Sequence, residues 1–189
     1  MRKDKGFTLI EILVVIAIIG ILVAIILPVL ARVKDQAKVT RTSSLITTLT
    51  IACDLYYNDW GGVYPPAFDS SGSAQKNGGI ELLYRALTTR EGRSTRDYAT
   101  DVSIEDIGDV DGDGQREFID AWGNPLVYFD SPNYSKSCEY QAANGVTFTA
   151  QPQRNPEDNR WYRPGKFMMW SVGKYGINKN GLEDNINNF

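Results

Sequence analysis

Residues 12–31 read ILVVIAIIGILVAIILPVLA, twenty consecutive positions without a charged side chain. As a helix this run is about 30 Å long, enough to cross the hydrocarbon core of a bilayer. The six residues at the start of the chain, Met1 to Gly6, carry Arg2, Lys3 and Lys5 against the single acid Asp4. An excess of Lys and Arg on one flank sets the orientation of a span, so this short leader is expected in the cytoplasm and everything beyond Ala31 outside it. A secretory signal has a shorter apolar core followed by a small-residue cleavage site. Here the run continues instead into Arg32, Lys34, Asp35 and Lys38, a polar segment compatible with helix. The natural break lies in front of the apolar run, at Gly6-Phe7, and a cut there keeps the whole hydrophobic helix.

Gly6-Phe7-Thr8-Leu9-Ile10-Glu11 resembles the cleavage and methylation motif of type IV pilins and type II secretion pseudopilins. The resemblance implies a prepilin peptidase that cuts between Gly6 and Phe7 and N-methylates Phe7, leaving Glu11 at the fifth mature position. Pro28, late in the span, also matches a place where that family kinks its helix. Elementary energetics converge on Glu11, because a carboxylate in lipid is costly unless paired. An α-amino group, its own or that of Phe7 on a neighbouring subunit, is the nearest cation after cleavage, and pairing would set the stagger between helices. The alternative is a plain anchor whose Glu11 snorkels to the headgroups. Gly20 allows close helix approach or is merely tolerated, and Pro28 is expected to bend or loosen the helix near Ala24.

Composition narrows the classes further. With 189 residues there is room for one modest domain plus an extended element. A net charge of −3 and a pI near 5.0 argue against nucleic acid as the main partner. Histidine is absent, which removes Ser-His and Cys-His nucleophile pairs and imidazole-based zinc sites, so no enzyme is expected. Cys53 and Cys138 are the two cysteines; outside the cytosol one bridge between them is allowed, and two separate buried thiols are the alternative.

Beyond the span, Val33, Ala37, Leu45, Leu49, Ala52 and Tyr56 form one apolar stripe of a helix reaching about Tyr57. Its outer half is rich in Thr and Ser, so packing against a head must support it. Asn58-Asp59-Trp60-Gly61-Gly62 ends it, and Tyr64-Pro65-Pro66 extends the chain. Residues 69–79 read as a surface loop, residues 80–89 as a short helix with Leu82, Leu83, Ala86 and Leu87 inward, and residues 90–96 as a solvated loop.

Asp109-Val-Asp111-Gly-Asp113-Gly114-Gln115-Arg-Glu117-Phe-Ile-Asp120 fits a twelve-residue calcium-loop template. Asp109, Asp111, Asp113 and Glu117 fall at positions one, three, five and nine, Gln115 offers its carbonyl, and Asp120 closes the loop in place of the usual Glu. A structural calcium ion is expected, against the alternative of an acidic turn without metal. The following Asp120-Ala-Trp122-Gly123-Asn124-Pro125-Leu-Val-Tyr128 resembles the D-x-W-G-N-P-x-x-Y segment of major pseudopilins, as does Gly62-Val63-Tyr64-Pro65 after the long helix. In that family the former segment leads into a small antiparallel sheet, in agreement with the alternation at Leu126 to Phe129. Ser171-Val-Gly173-Lys-Tyr-Gly176 and the acidic end are similar to the same family. The resemblance implies a second calcium site there, for which Asn178, Asn180, Glu183 and Asp184 offer oxygens. Residues 130–165 read as an insertion relative to short pseudopilins.

The expected fold is α+β: a leader at 1–6, a transmembrane and assembly segment at 7–31, the exported part of the long helix at 32–58, and a head at 59–189 of short helices and a small antiparallel sheet. The resemblance implies a bacterial inner-membrane subunit of a pseudopilus for type II secretion, with copies of itself, prepilin peptidase, an inner-membrane assembly platform, minor pseudopilins and lipid as partners. A type IV pilus or competence pilin, a membrane-tethered calcium-binding adhesion module and an anchored enzyme are the competing classes.

Overall fold

A computed structural model describes residues 9–72, 75–89, 96–176 and 186–189, with the side chains of residues 28, 29 and 31 excepted. The chain divides into two units, Met1–Lys38 and Val39–Phe189. Helix α1 spans Leu9–Asp59, so the helical backbone is unbroken at Pro28 and ends two residues beyond the expected Tyr57.

In the first unit the apolar side chains of α1 lie open on every face from Leu9 to Leu27, and Leu30 is also exposed. A helix apolar all round belongs inside a bilayer or a helix bundle. Among the described residues this is the one helix long and apolar enough to cross a membrane. Val33 and Ala37, expected in the apolar stripe, are exposed.

The second unit holds the core. Here α1 contributes Thr42, Leu45, Ile46, Leu49, Ala52, Cys53 and Tyr56, all buried and recurring at three- and four-residue intervals, one face of a helix. The stripe therefore starts at Thr42. Packing supports this Thr- and Ser-rich stretch, as its composition requires: Thr42 is fully buried and its hydroxyl accepts from the Ala121 amide at 3.1 Å. Thr47 and Thr50 instead donate back to the carbonyls of Ser43 and Ile46, four residues earlier. Arg41 Nε donates to Asp106 Oδ1 at 2.8 Å, fastening the same helix to the 3-10 turn Ile104–Asp106.

Helix α2, Gly78–Thr88, buries Ile80, Leu83 and Leu87 as its amphipathic spacing dictates, with Leu82 and Ala86 half-buried. It starts on Asn77, a buried residue in the left-handed conformation at φ 58°. Gly79 is required by close approach, since a Cβ there would lie 2.7 Å from the Tyr140 hydroxyl and 2.9 Å from the Tyr128 carbonyl.

The strands form three antiparallel pairs rather than one sheet. β1 (Ile107–Gly108) pairs with β2 (Glu117–Phe118), and β3 (Val127–Asp130) pairs with β6 (Phe167–Trp170). β4 (Cys138–Gln141) and β5 (Thr147–Ala150) make a hairpin, which lies within the stretch read as an insertion. All eight residues of β3 and β6 are buried, so Leu126 to Phe129 do not alternate between core and solvent as expected from the sequence. Their aromatic side chains pack as Phe129 on Trp170 and Tyr128 beside Phe167.

The cysteine pair is not bridged. Cys53 sits in the core face of α1 and Cys138 in β4, both as free buried thiols. The Cys138 thiol donates to the carbonyls of Gln75 and Glu139, and burial pushes both thiols above their ordinary range, Cys138 to about 11. They behave as small core residues, not nucleophiles.

Candidate functional site

Two regions carry the chemistry anticipated from the sequence, one in each unit. Glu11 lies in α1, two residues after Leu9, the first described residue. Gly6 and Phe7 lie outside the described residues, as do Asn178, Asn180, Glu183 and Asp184.

The acidic loop joins β1 to β2. Gly112 and Gly114 take φ of 77° and 90°, values open to glycine but strained for other residues, and this lets the backbone fold around Asp109. The Asp109 carboxylate accepts from the amides of Gly112 at 2.8 Å and Gly114 at 3.0 Å. Asp113 accepts from the Gln115 amide and from its side chain, at 2.7 and 2.9 Å. Glu117 is fully buried in β2; its Oε1 accepts from the Val110 amide at 2.8 Å and from the Asn77 side chain at 3.1 Å. Its Oε2 is buried without a hydrogen-bond partner. Burial pushes Glu117 up to about 7, with Asp111 and Asp109 adding to the rise and the Val110 and Asn77 donors opposing it.

Asp120 is the centre of a hydrogen-bond network. One oxygen accepts from the amides of Trp122 and Asn124, both at 2.9 Å, and the other from the Ser171 hydroxyl at 2.6 Å. Asn124 extends the network by donating to the Gly173 carbonyl at 2.8 Å and accepting from the Ala143 amide at 3.1 Å. The D-x-W-G-N-P segment and the Ser171–Gly173 segment are thus two halves of one buried knot. Burial raises the Asp120 carboxyl, and the donors from Ser171, Asn124 and Trp122 oppose that rise. Asp120 thus holds these chain segments together.

A further carboxylate, distant in sequence, lies beside this loop. Glu81, on the first turn of α2, is only 4 % exposed, and its Oε1 is buried without a hydrogen-bond partner. A carboxylate oxygen from each of Glu81, Asp111 and Asp113 lies within 4.8 Å of the other two. Burial and the neighbouring acids Asp113, Asp111, Glu117 and Asp109 push Glu81 up to about 8. Thirty positions separate Glu81 from Asp111, and no local spacing in the sequence marks the pair. Asn77 was equally hidden: it holds Glu117 through its Nδ2 and accepts from the Gln141 amide at 2.8 Å, joining the start of α2 to β2 and β4.

Comparison with known proteins places these features in a family. A profile described as the prokaryotic N-terminal methylation motif matches residues 1–27. The type II secretion system core protein G of Pseudomonas aeruginosa is 34% identical over 127 residues, covering 67% of this chain and 74% of that protein. Its counterpart in Vibrio cholerae is 32% identical over 128 residues, covering 68% and 72%. The type IV major alpha-pilin of Moraxella bovis is 38% identical over 80 residues, covering 42% and 49%. No solved structure matches. By the extent of its similarity to these proteins, the chain belongs to the family of the type II secretion system core protein G.

Proposed function

We propose that this chain is the major subunit of a pseudopilus that drives type II protein secretion. The observation that carries the reading is how far the likeness runs. The match to the Pseudomonas aeruginosa core protein G extends over 127 residues, more than α1 can contain, so it reaches well into the head. The match of 80 residues to the type IV major alpha-pilin also exceeds the 51 residues of α1, but it covers 49% of that protein against 74% for the core protein G. The likeness to core protein G covers the larger share of both chains, and that share favours secretion over surface pili.

In this reading prepilin peptidase removes residues 1–6 and N-methylates Phe7, and α1 holds the subunit in the inner membrane with the leader cytoplasmic and the head outside. An assembly platform in that membrane adds copies at the filament base, minor pseudopilins complete the structure, and the growing rod pushes folded cargo outward. Function is mechanical, and no residue is assigned a catalytic role.

Deleting the gene in its native host and comparing proteins in the medium with those of a complemented strain tests the proposal. Loss of specific exported proteins, restored on complementation, is the expected result. An unchanged medium together with loss of surface fibres, adhesion or DNA uptake would overturn the secretion reading in favour of a pilus.

A further inference from the structure

We propose that Glu81 of α2, together with Asp111 and Asp113 of the β1–β2 loop, forms a calcium site that ties the helix to the loop. Its ligand set differs from the twelve-residue template in bringing in Glu81, which lies outside the loop, beside Asp111 and Asp113.

Three observations carry it. First, a carboxylate oxygen from each of the three residues lies within 4.8 Å of the others. Oxygens at calcium's usual distance of about 2.3–2.6 Å sit on a sphere roughly 5 Å across, so the group has the right size for one ion. Second, Glu81 is 4 % exposed with Oε1 unpartnered, and the fully buried Glu117 beside the cluster has Oε2 unpartnered. Buried carboxylate oxygens without donors are costly, and a cation is the group that satisfies them. Third, the neighbours acting on Glu81 are all acids, Asp113, Asp111, Glu117 and Asp109. Lys76, the cation that bears on Asp111, donates to Gln141 at 3.0 Å.

The chemistry favours calcium. Every donor is a hard oxygen, which disfavours zinc and copper. Two of the ligands sit on a glycine-rich loop, a setting that suits calcium's variable coordination better than magnesium's strict octahedron. A cleft of about 150 Å³ lined by Gln75, Gly78, Glu81, Arg85 and Gln115 adjoins Glu81. The site is independent of what the filament does, so its failure and that of the secretion reading are separate results.

Calorimetry and thermal unfolding of the full chain in detergent, stripped of metal and titrated with calcium or magnesium chloride, test the site. Calcium at a hundred times its Kd is expected to raise Tm by about 5–10 °C. Glu81→Gln, which keeps the side-chain shape, should melt at or above the parent temperature in metal-free buffer, yet bind calcium at this site about tenfold more weakly or worse. Asp113→Asn, at an exposed position, should lose the same binding without any question of misfolding. Calorimetric stoichiometry should fall by one ion in both variants, so any ion bound nearer the C-terminus is counted apart. Identical calcium binding in the parent and both variants, or none in the parent, would overturn the proposal.

Discussion

Asp120 is the residue on which two distant motifs converge. Replacing it with alanine strips acceptors from the Trp122 and Asn124 amides and from the Ser171 hydroxyl, all drawn into the interior. With each orphaned buried donor costing about 1–3 kcal/mol, Asp120→Ala should lose on the order of 3 kcal/mol in urea unfolding. A loss under about 0.5 kcal/mol would mean the knot is dispensable. Charge at the neighbouring cluster gives a second expectation. The Glu81 and Glu117 carboxyls stand at about 8 and about 7 in the folded chain against an ordinary 4.5. Between those values the folded state holds protons that the unfolded state has released, so in calcium-free buffer stability should fall as pH rises from about 4.5 to about 8. Urea midpoints measured across that range check the sign, and Glu81→Gln should flatten the slope; a rising midpoint would contradict it. The spacing of Asp109, Asp111 and Asp113 is plain in the sequence, because a turning loop leaves a local pattern. Which oxygens Asp120 and Glu81 address is not, because that depends on chain segments 30 to 51 residues away.

Helix α1 within the second unit has two faces with opposite consequences for the head. Leu49 is fully buried, whereas Ile51, two positions on, is 57% exposed. Leu49→Ala should therefore cost about 2–5 kcal/mol through lost transfer energy and a cavity. Ile51→Ala should stay within about 0.5 kcal/mol. Urea unfolding of the two variants side by side decides whether the stripe from Thr42 to Tyr56 is what docks the helix; equal losses would mean it is not. Periodicity made this stripe, and the inward Leu83 and Leu87 of α2, readable in advance, since burial at three- and four-residue intervals is a local signal. Its starting point was not readable. Val33 and Ala37 keep the same period, yet they are exposed and belong to the other unit. Strand partnership was hidden for a similar reason: the pairing of β3 with β6 spans the β4–β5 hairpin and is set by tertiary packing.

At the scale of the whole chain, the question is what covers the apolar surface of residues 9–30. Every large side chain from Leu9 to Leu27 is about half exposed or more, so lipid or the helices of other subunits must take the place of a core. Glu11 is the one acid on that stretch, and its two possible roles make different demands. A snorkelling anchor places the carboxylate among headgroups, and replacing it with Leu then changes little. A pairing role places it against a cation inside the helix bundle, and removing one partner of such a pair leaves the other charge buried, a loss of about 3–5 kcal/mol per contact. Glu11→Leu is therefore expected to insert into membranes at parental levels and to keep the head's urea midpoint, because the head's core begins at Thr42. Filament recovered by shearing or by overexpression should nevertheless fall about a hundredfold or more, since each 1.4 kcal/mol is a factor of about ten in an equilibrium constant. Parental filament yield from this variant would leave Glu11 as a headgroup anchor and shift the source of helix register to the packing of the apolar side chains alone.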